Sequence, residues 1–251
     1  MKQLIKFGAL ALASSLLVAC SSDDDGDALT ELPSTELPGD SQEALFEIRV
    51  TNLTNAQPLS PVAVMLHQSG FSSFVDGESA SLALELLAEG GDNADVLSEV
   101  QAATQHLASA STEGPVPPQS ISPLVSLSVA AEDMADVRLS VISMLVRTND
   151  AFTGVNAADL SAMVVGDTLS MNGPTWDSGT EDNTETAATI PGPGFDGEGF
   201  NVARDDRLDV VRFHGGVVTN ESAEFGLPTS DLDDQHRFLN PASRVVVTRV
   251  Q

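Results

Sequence analysis

Apolar and polar positions alternate through residues 45–53. Phe46, Ile48 and Val50 face one way and Glu47, Arg49 and Thr51 the other, the two-residue period of a strand with one buried face. Pro58 and Pro61 then mark a turn. Val62, Ala63, Val64, Met65 and Leu66 form an unbroken apolar run ahead of His67, read as a second, more deeply buried strand. Between 79 and 108 the spacing lengthens. Leu82, Leu86, Leu87, Val96, Leu97, Val100 and Leu107 recur at nearly helical intervals, interrupted by Gly90, Gly91 and Asp92. This predicts two short helices that cap a sheet or form a crossover. Strand patterns return at 124–129, at 137–147 (rich enough in β-branched residues for a central strand), at 210–214 and at 244–250. Residues 172–201 read as one long loop, a length that usually carries function or is disordered. Strand runs separated by turns predict an all-β fold, an antiparallel β-sandwich with one or two short helices in an inserted connection; a barrel is the alternative.

The first residues have a different character. Lys2 and Lys6 precede an apolar stretch at 7–18, too short for a membrane span and about the length of an export signal. It ends in Leu17-Val18-Ala19-Cys20, which resembles the lipobox of bacterial lipoproteins. That resemblance implies a signal at 1–19, acylation of Cys20 and a lipid anchor in the cell envelope. Ser21 and Ser22, with no aspartate beside the cysteine, favour the outer membrane. Cys20 is the only cysteine in the chain, so no intramolecular disulfide can form. Residues 20–43 read as an acidic, disordered tether: Asp23, Asp24, Asp25 and Asp27 are followed by Leu32-Pro33 and Leu37-Pro38, with little to build a core. The folded domain is expected over 44–251.

Charge narrows the range of partners. The formal net charge is −26, both lysines lie in the expected signal, and the nine other basic side chains are all arginine. Such a domain repels nucleic acid and anionic surfaces, and favours cations, basic partners or neutral glycans. With no tyrosine and one tryptophan, the core must be aliphatic with a few phenylalanines. His67, His106, His214 and His236 are scattered without a zinc pattern, and no G-x-S-x-G elbow occurs. Among so many acids a glycosidase pair has no distinguishing signature.

Acidic spacing is densest after the tryptophan, in Trp176-Asp177-Ser178-Gly179-Thr180-Glu181-Asp182-Asn183. Asp177 and Glu181 lie four apart, with Gly179 able to curl the chain so that both turn inward. Asp150, after Arg147-Thr148-Asn149, is the other carboxylate expected at the same end of the sandwich. Calcium takes six to eight oxygen ligands, so these loops read either as a cation site or as a solvated acidic surface. Trp176 reads as an anchor holding its loop to the sandwich, with a surface recognition aromatic as the alternative.

Thr148-Asn149-Asp150-Ala151-Phe152-Thr153-Gly154, followed by the segment from Trp176 to Asn183, resembles the spondin N-terminal domain family. So do Thr51-Asn52-Leu53-Thr54, Pro58-Leu59-Ser60-Pro61 and the closing Asn240-Pro241-Ala242-Ser243-Arg244-Val245-Val246-Val247. The resemblance spans about 45–251. It implies a C2-like β-sandwich with calcium held by Asp150, Asp177 and Glu181, and with Asp182 and Asn183 behind them. Glu181 stands where animal relatives tend to carry aspartate. The family's animal members are matrix and adhesion proteins, so the resemblance implies a non-enzymatic, lipid-anchored, calcium-binding adhesion module. Its expected partners are the membrane through Cys20 and a surface polymer, glycan or envelope or matrix protein. A structural envelope lipoprotein, or a carboxylate- or metal-based hydrolase, is the alternative.

Overall fold

The computed structural model describes residues 43–202, 208–221 and 224–251. The expected signal, Cys20 and all but the last residue of the expected tether lie outside them. In chain order the elements are β1 (Glu43–Asn52), β2 (Ala63–His67), α1 (Leu82–Gly90), α2 (Ala94–Ala102), β3 (His106–Ser111), β4 (Val125–Ala130), β5 (Arg138–Met144), β6 (Ala151–Asp159), β7 (Thr168–Gly173), β8 (Thr175–Asp177), β9 (Arg212–Phe213) and β10 (Ser243–Arg249). They form two antiparallel sheets, one in the order β4-β1-β10-β7 and the other β3-β2-β5-β6-β8-β9. The expected all-β sandwich is therefore the observed one.

The alternation at the start of the chain has the consequence it predicts. Ala44, Phe46, Ile48 and Val50 of β1 point into the space between the sheets, against Val245 and Val247 of β10 and Leu139 and Val141 of β5. Phe46, Ile48 and Val50 each contribute about 1.5–3 kcal/mol by leaving water. β2 and β5 are apolar on both sides because the six-stranded sheet is covered on both sides. Val64, Leu66, Leu139 and Val141 join the inter-sheet core; Met65, Ile142, Met144 and Phe152 pack outward under Leu84, Leu87, Val96 and Val100 of the helices. The helices thus cap the sheet. Helix α1 starts where the Ser81 side chain accepts a bond from the Leu84 N–H, at 3.2 Å.

Four expectations are corrected. Leu107 belongs to β3, not to a helix. β6 and β7 were not expected as strands: Gly154 and Asn156 interrupt the pattern of β6, whereas in β7 Leu169 and Met171 do alternate with Thr168, Ser170 and Asn172, over too short a run to stand out. The expected long loop is interrupted, because Gly173 ends β7 and residues 175–177 form β8, so Trp176 and Asp177 stand on a strand. The strong pattern at 210–214 yields only a two-residue strand, because β8 beside it is three residues long and Val211 bonds instead to the backbone of Gly77 and Glu78.

One buried polar network positions the site. Asn52, at the end of β1, donates to the carbonyls of Gln57 (2.8 Å) and Val116 (3.1 Å). The Gln57 amide in turn grips Arg147 from both sides, accepting from its N–H (3.0 Å) and donating to its carbonyl (3.0 Å). Both residues are fully buried, so these bonds satisfy groups that would otherwise be costly to desolvate. They hold the chain just before Thr148, Asn149 and Asp150.

Candidate metal centre

The β5–β6 turn is tight and internally bonded. Thr148 donates its hydroxyl to the Leu145 carbonyl (2.6 Å) and accepts from the Ala151 N–H (3.0 Å), which delivers Asp150 to the first position before β6. In the β6–β8 ladder Ala151 pairs with Asp177 and Phe152 with Trp176. Asp150 and Ser178 therefore become neighbours at one end of a single sheet. The chain then folds back over Asp150. Its Oδ2 accepts from the Ser178 hydroxyl (2.9 Å) and from the N–H groups of Thr180 (3.0 Å) and Glu181 (3.2 Å). Its Oδ1 is buried and has no hydrogen-bond partner among the described residues.

Asp177 is differently supplied. Oδ1 accepts from the Gly179 N–H (2.9 Å), while Oδ2 accepts from Asn183 Nδ2 (2.8 Å) and from Arg212 Nη2 (2.8 Å). Arg212 faces Asp177 directly across the β8–β9 ladder. Glu181 Oε1 accepts from Asn149 Nδ2 at 3.1 Å. The structure thus brings Asp150, Asp177 and Glu181 together, all nearly fully buried, with Asn183 tied to Asp177. Asp182 is half-buried, and its carbonyl accepts from the Thr184 N–H (2.7 Å). Among the described residues no three His, Cys, Asp or Glu side chains converge closely enough to hold a metal ion between them. Asp177 is turned toward Arg212 and Glu181 toward Asn149.

Gly179 makes the fold-back possible. Its φ is +78°, and a Cβ there would lie 2.5 Å from the carbonyl oxygen and 2.6 Å from the nitrogen of Val210. Gly179→Ala should lower stability by roughly 2 kcal/mol through left-handed strain and this backbone clash. Urea denaturation measures it, and an unchanged midpoint would mean that Val210 gives way at no cost.

Trp176 fills the reading of an anchor. Its ring is stacked on Phe213 with centroids 4.2 Å apart and packs on Phe74 at 5.0 Å, at the margin of the cluster beneath the helices.

Three residues that the sequence reading gave no place in the site belong to the neighbourhood: Arg212, Glu185 and His214. Glu185, four positions after Glu181, is buried. Its N–H donates to Asn149 Oδ1 (3.1 Å), and its Oε1 accepts only from the Val218 N–H (3.3 Å). His214 is buried too. Nδ1 accepts from the Gly216 N–H (2.9 Å), so the imidazole proton sits on Nε2, which has no partner among the described residues. The acid spacing 181–185 was the only available signal for Glu185. The other two depend on strand pairing.

Burial and the neighbouring Asp177 push the Asp150 carboxyl up to about 7, against the pull of the three bonds it accepts. Burial pushes Glu185 up to about 7 as well; the Val218 N–H opposes this and the charge of Asp150 adds to it. His214 is pushed down to about 4, first by burial, with Asp177 and Arg212 acting in opposite directions. Arg212 neutralises Asp177, but Asp150 and Glu185 have no cationic partner among the described residues.

The donor set is therefore carboxylate, amide, hydroxyl and carbonyl oxygen, with no cysteine and no accessible imidazole nitrogen lone pair. That chemistry suits a hard divalent cation such as calcium and not zinc. The partnerless Asp150 Oδ1 is the atom such an ion would satisfy.

No curated protein matches the chain. The sequence profile of the Spondin_N family matches residues 52–191, which contain Asp150, Asp177, Glu181 and Glu185 but neither Arg212 nor the closing strand β10. With more than half of its length matched, including the turn that presents Asp150 and the loop that covers it, the chain belongs to the Spondin_N family.

Proposed function

We propose that this domain is an extracytoplasmic, calcium-stabilised binding module, carried on a lipid anchor at Cys20 and most at home at the outer membrane of a bacterial envelope. The observation that supports calcium most directly is the buried Asp150 carboxylate, one oxygen satisfied three times and the other not at all. Asp150, Asp177 and Glu181 would hold the ion, with Asn183 and Asp182 behind them. The ion would supply the positive charge that Asp150 otherwise lacks among the described residues, and the loop would then be rigid enough to display the surface around it. Binding only the folded form, it stabilises the domain by mass action.

Binding rather than catalysis is favoured because the acids with raised pKa are not open to substrate; Asp150 is 0% exposed and Glu185 2%. Two surface clefts, one lined by Leu53, Asn55, Arg237 and Leu239 and the other by Phe74, Asp76, Asn156 and Trp176, do not contain them. The partner is taken to be a neutral glycan or other surface polymer, or an envelope or matrix protein, in keeping with a net charge of −26 and the absence of lysine from the folded region.

Thermal unfolding of the purified chain with calcium and with chelator is the test. Calcium should raise the melting temperature by several degrees, and Asp150→Asn should remove most of that gain. Coincident wild-type curves in calcium and chelator would end the calcium reading.

A further inference from the structure

We propose that Glu185 is a fourth carboxylate of the calcium site, held beside Asp150 by the Asn149 amide and reserved for the ion. The proposal rests on the calcium reading above and extends it to a residue outside the expected ligand set.

Three features of Glu185 support a cation partner. Its side chain is 2% exposed and its Oε2 has no hydrogen-bond partner among the described residues, so a carboxylate is taken out of water with a single 3.3 Å bond in return. A buried, uncompensated carboxylate is among the most costly groups a fold can contain. Its backbone φ is +58°, the left-handed region that disfavours any residue with a long side chain. Asparagine or glycine would fit that turn better and would bury no charge. Finally, the strained turn is pinned rather than relaxed. The Glu185 N–H donates to Asn149 Oδ1 (3.1 Å), and its carbonyl accepts from the Asp231 N–H (2.8 Å).

Asn149 is the link. Its Nδ2 donates to Glu181 Oε1 while its Oδ1 receives the Glu185 N–H, so one side chain sets both glutamates around the residue preceding Asp150. Two partnerless buried carboxylate oxygens, Asp150 Oδ1 and Glu185 Oε2, thus belong to residues joined through the Asn149 side chain. A divalent cation is the ligand class that satisfies both, and it offsets the strain with its binding energy.

Terbium, a luminescent calcium substitute, supplies the readout, because Trp176 adjoins Asp177 and can sensitise its emission. The purified chain is titrated with terbium and, by calorimetry, with calcium. Wild type should bind, Glu185→Gln should lose at least ten-fold in affinity, and Asp95→Asn on the exposed face of α2 should be unchanged although it removes the same charge. In chelator at pH 8, Glu185→Gln should melt no lower than wild type, since the amide replaces a buried charge. Should Glu185→Gln not fold, Glu185→Asp carries the test, with a five-fold or greater loss expected. Binding by wild type with unchanged affinity in the Glu185 variant overturns this inference alone. No binding by wild type overturns the calcium reading and this inference with it.

Discussion

Gly154→Ala should abolish cooperative folding. Gly154 sits at the centre of the six-stranded sheet, paired with Ile142 just past a register shift between Leu139 and Val141. A Cβ there would lie 1.8 Å from the Val141 carbonyl oxygen, 2.8 Å from its carbon and 3.0 Å from the Ile142 Cα. All three are backbone atoms of β5, so no rotamer change relieves the contact; the two central strands must separate. The same glycine permits a second close approach, since its Cα lies 3.3 Å from where a Cβ on Gly173 would be. There the end of β7 is held by the Thr153 hydroxyl, which donates to the Gly173 carbonyl at 3.0 Å and lies 2.9 Å from Ser243 Oγ of β10. Parting β5 from β6 therefore also disturbs the seam between the sheets. The penalty is expected to exceed about 4 kcal/mol, a large share of the 5–15 kcal/mol that holds a typical domain together. Gly215→Ala, with nothing within 4 Å of the added methyl, is the matched control and should be near neutral. Circular dichroism and urea denaturation of both variants decide the matter. A Gly154→Ala melting temperature within a few degrees of wild type would be incompatible with this seam.

In the presence of chelator, the domain should lose stability as the pH rises from about 4.5 to about 7, by on the order of 2–4 kcal/mol. Asp150 and Glu185 keep their protons in the folded state up to about 7, whereas in the unfolded chain they ionise near their ordinary values of 3.8 and 4.5. Across that interval the folded state binds more protons than the unfolded one, so stability falls with pH. Below it both states are protonated and the penalty vanishes; above about 7 it is fully present. His214 works the other way. It stays neutral in the fold down to about 4 while the unfolded chain protonates it below 6.5, so it offsets part of the fall between 4 and 6.5. Above 6.5 only the two acids act, and the decline should be clearest there. Asp136 and Asp159 are held below the usual carboxylate range by the Ser69 and Ser161 hydroxyls, but both are solvent-facing and matter only in more acidic solution. Glu185→Gln should remove about half of the acid-dependent slope. Saturating calcium, which needs the ionised carboxylates, should reverse it. Stability that climbs steadily from pH 5 to pH 8 in chelator would contradict the burial of these two acids.

Some elements could be read from residue order and others could not. β1, β2, β5 and β10 carry their positions in their own patterns, because each lines a core and its side chains repeat with the pleat. The helices around Gly90 and Gly91 were legible for the same reason, through spacing. β6 and β8 were not. β6 contains Gly154 because another backbone passes against it, and β8 is a strand only because Phe152 and Phe213 stand on either side of Trp176. Short strands of this kind are defined by their neighbours, and periodicity over three residues carries no signal.

The site divides along the same line. Asp150, Asp177 and Glu181 could be named from acid spacing, the position of Gly179 and the family resemblance, and the fold does gather them. That Asp177 faces Arg212, that Asn149 separates Glu181 from Glu185, and that the last of these is buried without a cation were beyond reach. Each depends on a register or a loop crossing between residues 28 to 36 positions apart. Residue order by itself determined the class of fold, the acidic and lysine-free character of the domain, and where its acids crowd together. Only the tertiary structure decided which carboxylate is neutralised by an arginine and which are buried without a cationic partner among the described residues. Charge compensation depends on distance and burial, and the chain acquires both only when the strands pair.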